Sequence, residues 1–109
     1  MTTSPQLVLC SVPDRDTATH LARTLVTERL AACVTIVPGV SSVYRWEGAV
    51  EESDELLLLI KTCGTVFDPL KSCICARHPY ELPEIIAVPL EDGLREYLDW
   101  IATSIEEPQ

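Results

Sequence analysis

Leu56-Leu57-Leu58-Leu59-Ile60 is the segment that most limits what this chain can become. Five consecutive apolar residues, closed by Glu55 and Lys61, fall far short of the ~20 needed to cross a bilayer. They fit a strand whose two faces are both covered. In a four-strand sheet with helices on one side only, the second cover has to come from another chain. The run therefore predicts oligomerisation as well as a strand.

The flanking pattern places that strand third of four. Gln6 to Val12 is a short Leu- and Val-rich run ended by Val12-Pro13-Asp14. Asp14 is placed to cap a helix in which Ala18, Leu21, Ala22, Leu25, Val26 and Leu30 form one apolar stripe. Ala32 to Trp46 is β-rich, with a bulge or bend expected at Pro38-Gly39, and Trp46-Glu47-Gly48-Ala49 reads as a tight turn. A strand from about Val50 to Cys63 follows. Asp68-Pro69 starts a second helix, capped by the Asp68 carboxylate and closed at His78-Pro79. Glu84 to Leu90 is the fourth strand, an edge or bulged one because of Pro89, and Asp92-Gly93 opens a last helix. The order β-α-β-β-α-β plus a C-terminal helix predicts an α+β, ferredoxin-like fold. One domain, 1–109, is expected, with an ordered core of about 6–105 and a frayed tail at Glu106 to Gln109.

Eight basic against 17 acidic residues give a formal charge of −9. Such a surface repels phosphate backbones and anionic lipid, so nucleic acid and membrane are not expected partners, while cations are attracted. The five cysteines, Cys10, Cys33, Cys63, Cys73 and Cys75, form no even disulfide framework and no C-x-x-C pair. Met1 to Pro5 lacks the basic start and apolar stretch of a signal peptide. Both features point to the reducing cytoplasm.

Few residues suggest chemistry. His78-Pro79-Tyr80-Glu81-Leu82-Pro83-Glu84 is pinned by two prolines, so an imidazole, a phenol and two carboxylates are held at modest entropic cost. Thiolate with imidazole is a ligand mix that suits copper. Cys10 shares strand parity with Val8 and Val12, which favours the core; Cys73 and Cys75 are two apart and do not face each other on a helix. Trp46 and Glu47 at a hairpin tip, with Lys61, are candidates for a partner or cleft contact, together with Tyr80, Glu81 and Glu84. No catalytic triad, nucleotide-binding glycine pattern or H-E-x-x-H is present, and an enzyme is not expected.

Three blocks carry a family resemblance: Ala31-Ala32-Cys33-Val34, Pro38 to Gly48 (PGVSSVYRWEG) and His78 to Ile86 (HPYELPEII). In this order they resemble CutA, the divalent-cation tolerance family, over about Leu7 to Ile105. The resemblance implies a homotrimer of ferredoxin-like subunits, akin in architecture to the PII trimers, associated with tolerance of copper and other divalent cations. It implies a metal site at Cys10 and His78. Arg77 stands where the family has a further histidine, and a guanidinium has no lone pair to donate. The expected function is metal binding without catalysis, with no cofactor needed for folding. A PII-like signalling or scaffold trimer, taking a small molecule or protein in inter-subunit clefts, is the alternative.

Overall fold

The computed structural model describes residues 4–105. The elements run β1 (Pro5–Val12), α1 (Arg15–Thr27), β2 (Cys33–Trp46), β3 (Ala49–Cys63), a 3-10 turn (Gly64–Val66), α2 (Phe67–Arg77), β4 (Ile86–Pro89) and α3 (Arg95–Ser104). The sheet order is β2-β3-β1-β4, which is the expected ferredoxin-like arrangement. The expected fraying of Glu106 to Gln109 lies outside the described residues.

Local chemistry accounts for most of the boundaries. Asp14 accepts the Thr17 amide at 2.8 Å, which caps α1 and holds the carboxyl below its ordinary pKa. The β2–β3 register slips between Val37 and Val40, where Pro38 has no amide and Gly39 takes φ +73°. Trp46 pairs with Ala49 across a two-residue loop in which Glu47 and Gly48 both have positive φ, as right-handed strand twist requires. His78 is extended (φ −80°, ψ 136°) and ends α2, as a residue before proline should.

Three details differ from expectation. The 3-10 turn precedes α2, so Val66 occupies the cap and Asp68 only the first turn. Asp92 accepts the adjacent Gly93 amide at 2.9 Å instead of capping a helix, and α3 begins only at Arg95. The fourth strand is shorter than Glu84 to Leu90 because Ile85 packs into the core and Glu84 turns to Ser11.

β3 lies antiparallel to β1, with Val8 opposite Ile60 and Cys10 opposite Leu58. This register turns Val8, Cys10, Val12, Leu58 and Ile60 toward α1 and α2, where Leu21, Leu25, Leu70 and Ile74 complete a fully buried core. Burying each large aliphatic side chain there contributes about 1.5–3 kcal/mol. Alternation sends Leu7, Leu9, Leu57, Leu59, Ile86 and Val88 to the opposite face, and none of these joins either core cluster. Ile86 and Val88 are 50% and 43% exposed. The Cys63 end of that face is covered by Ile101 of α3 and by Ile105, the residue that caps the helix.

Leu58→Ala removes a fully buried side chain at the centre of the inward layer and is expected to cost about 2–5 kcal/mol. Urea unfolding at a fixed protein concentration measures this; a loss below about 1 kcal/mol would place Leu58 outside the core.

Candidate functional site

β1 ends at a branching point. Cys10 faces the core, and its thiol approaches the Ser11 carbonyl at 3.8 Å. Burial, then the nearby Glu84, Cys75 and Glu55 charges, push this thiol up to about 12. Ser11 points the other way, and its hydroxyl donates to Glu84 Oε1 at 3.3 Å. His78, 8% exposed, brings Nε2 to the same Ser11 carbonyl at 2.8 Å. Its Nδ1 accepts the Tyr80 amide at 3.1 Å. Because Nδ1 receives a proton, Nε2 carries the ring hydrogen and donates to the carbonyl; the hydrogen bonds assign this neutral tautomer.

The fold therefore brings Cys10 and His78 to one carbonyl oxygen, but with neither in a metal-ligating form. The thiol is protonated and the imidazole has both nitrogens engaged. Arg77 bends back along α2, donating to the Cys73 carbonyl at 3.2 Å and Sγ at 3.3 Å. Cys73 is half-buried and Cys75 exposed, so they diverge as the helical spacing requires. Among the described residues, no three His, Cys, Asp or Glu side chains are grouped to hold a metal ion.

A cleft opens beside this point, between the β2–β3 hairpin and the segment 79–84, with a volume of about 570 Å³. Glu55 forms its floor and is 6% exposed. Ser42 donates to Glu55 Oε1 at 2.6 Å and Tyr80 to Oε2 at 2.6 Å, short bonds of the kind an ionised acceptor makes. Burial, together with the bond to and charge of Glu55, pushes the Tyr80 phenol well above its ordinary range. The Tyr80 ring stacks obliquely on His78, with centroids 4.8 Å apart. Tyr44 and Trp46 line the hairpin wall, and Tyr44 shares a 2.7 Å hydrogen bond with Ser53.

Of the residues singled out in the sequence, Trp46, Tyr80, Glu81 and Glu84 meet in this cleft. Glu47 stays at the hairpin tip, outside the lining. Lys61 sits near the other end of β3, donating to Thr35 Oγ1 at 2.5 Å and approaching Cys33 Sγ at 3.8 Å. Ser11, Ser42, Tyr44 and Glu55 were not anticipated. The available signal was parity: Glu55 shares a face with Leu57 and Leu59, where an acid needs dedicated partners.

The CutA1 divalent ion tolerance protein family model matches residues 6–104. The divalent-cation tolerance protein CutA of Thermus thermophilus is 54% identical over 96 residues, spanning 88% of this chain and 93% of that protein. The crystal structure of CutA from Xylella fastidiosa superposes with a TM-score of 0.92 at 48% identity, covering 94% of this chain and 99% of its own. The chloroplastic CutA of Arabidopsis thaliana is 46% identical over 94% of this chain, which spans only 57% of that longer protein. A periplasmic CutA from Archaeoglobus fulgidus has a TM-score of 0.90 at 35% identity, with 94% of this chain and 99% of that chain covered. Relatives thus occur in several compartments. No helix among the described residues is long and apolar enough to cross a membrane.

The buried groups set three expectations. A thiol reagent at pH 8 should modify Cys75 quickly and leave Cys10 and Cys63 intact until urea unfolds the chain; rapid native labelling of Cys10 would contradict its burial. Below pH 9 the Cys10 thiol is protonated in both folded and unfolded chains. Above it the unfolded thiol ionises first, so stability falls from about 9 to 12. Cys10→Val should make that alkaline decline shallower. Separately, Tyr80→Phe leaves one Glu55 oxygen without its donor and should cost about 1.5–3 kcal/mol at pH 7 by urea unfolding. A neutral result would mean that water replaces the phenol freely.

Proposed function

The chain belongs to the CutA1 divalent ion tolerance family, and from that premise we propose that it acts as a cytoplasmic, non-catalytic homotrimer that binds divalent metal ions, copper among them. The observation that carries the metal assignment is the convergence of the Cys10 thiol and the His78 imidazole on the Ser11 carbonyl, with the Glu84 carboxylate on the Ser11 hydroxyl. Thiolate and imidazole are a donor pair suited to copper once their present hydrogen bonds are exchanged. That exchange has a cost: the thiol has to lose its proton and the imidazole has to release Ser11 or Tyr80. Binding at this point is accordingly weak and pH-dependent, a property suited to tolerance by exchange and not to permanent storage.

The trimer reading is supported by the uncovered outward face of the sheet, with Leu57 and Leu59 at its centre, and by β2, a 14-residue strand left at the sheet edge. An apolar face of this kind, beside a long free edge, calls for a second copy. The five free cysteines support a reducing compartment. The non-catalytic reading rests on the family's tolerance designation and on a Cys10 thiol held protonated by burial and turned away from the cleft.

Titration of the reduced protein with Cu(I) and Cu(II) against a competing chelator tests the metal assignment, with Cys10→Ser and His78→Ala alongside. Affinity should rise by up to about tenfold per pH unit between pH 6 and 8, as one thiol proton is displaced, and both variants should lose it. Copper binding that is independent of pH and of both residues would overturn the site.

A further inference from the structure

The Glu55 cleft presents chemistry that a metal-tolerance role does not use. A carboxylate that is 94% buried ordinarily has a cation beside it, since losing water costs an ion several kcal/mol. Glu55 has only the two hydroxyls of Ser42 and Tyr80. The one ion pair among the described residues is Lys71–Asp68, on exposed α2, and Arg45 at the cleft wall pairs with no acid. Three carboxylates and that single guanidinium line the cavity, so its formal charge is 1 − 3 = −2.

A bare metal ion does not match this space. At about 570 Å³ the cleft has room for a small organic molecule, whereas one water occupies about 30 Å³. Its walls are mostly apolar and aromatic: Trp46 and Tyr44 on the hairpin, Tyr80 and Leu82 on the opposing segment. Aromatic faces beside a buried carboxylate favour an alkylammonium group, through cation–π attraction and a charge-assisted hydrogen bond. The acids lie on both walls, Glu55 on β3 and Glu81 with Glu84 on the 79–84 segment. A ligand with positive charge at both ends and methylenes between would answer both.

We propose that the cleft between the β2–β3 hairpin and residues 79–84 binds an aliphatic polyamine, one ammonium on Glu55 and another on the Glu81–Glu84 wall, with its methylene chain against Trp46 and Tyr44. The site adjoins the Cys10–His78 point, with Glu84 and Tyr80 at the boundary, but Glu55 and the hairpin aromatics lie on the outward side of the sheet and Cys10 on the inward side.

Isothermal titration of the whole protein with spermidine, in about 150 mM salt, tests this. Saturable binding of one molecule per subunit is expected, weakened about tenfold or more by Glu55→Gln and several-fold by Trp46→Ala. Glu96→Gln, which removes an acid from the distant α3, should leave it unchanged, and so should Cys10→Ser, whatever its effect on copper. Glu84→Gln provides a second test at the other wall if Glu55→Gln fails to fold. Absence of binding, or equal loss with Glu96→Gln, would overturn the proposal, the latter by showing attraction to the acidic surface alone. Butylammonium binding as tightly as spermidine, or displacement of spermidine by an equal concentration of Mg²⁺, would overturn it too.

Discussion

The pairing of β3 with β1 is the constraint on which the rest of the molecule depends. With Cys10 set opposite Leu58, one face of the Leu-rich run closes the core against α1 and α2, and the other presents Leu57 and Leu59 beside Leu7 and Leu9. A one-residue slip would exchange the two sets and send Cys10 outward. The same register carries Glu55 out along the Leu57–Leu59 face to the point where the hairpin leaves the sheet. Core, uncovered face and cleft are thus consequences of one alignment.

That alignment also separates two kinds of chemistry that sit near Ser11. On the inward side, the soft donors are held in their least reactive forms, a thiol raised by burial and an imidazole with both nitrogens bonded. On the outward side, the buried Glu55 carboxylate is held by two hydroxyls and no cation of the same chain, inside aromatic walls. Ser11 links the two, its carbonyl to His78 and its hydroxyl to Glu84. A ligand that moves the 79–84 segment would therefore disturb the surroundings of His78 as well.

The elements were readable in the sequence wherever a local rule governed them. Asp14 capped its helix, Pro38-Gly39 bulged its strand, Gly48 took positive φ, and His78-Pro79 ended α2. Strand parity put Cys10 in the core. Asp68 misled because the preceding 3-10 turn runs straight into α2 and leaves it inside the helix, and Asp92 because its carboxylate takes the adjacent Gly93 amide. The cleft was legible only in half. The proline-pinned segment announced Tyr80, Glu81 and Glu84, but Glu55, Ser42 and Tyr44 lie in stretches that read as plain strands with no site signal. Their partners are distant in sequence: Tyr80 reaches Glu55 across 25 positions, and His78 reaches Ser11 across 67. Periodicity cannot supply such contacts.

The most direct measurement is sedimentation velocity of the wild-type chain beside Leu59→Asp, which sets a charge on the uncovered face and leaves the inward core intact. The wild type should sediment as three 12.1 kDa chains, and the variant should fall to a folded monomer with unchanged helical circular dichroism. A wild-type monomer, or a trimer unaffected by Leu59→Asp, would show that the face opposite α1 and α2 is not what joins the subunits.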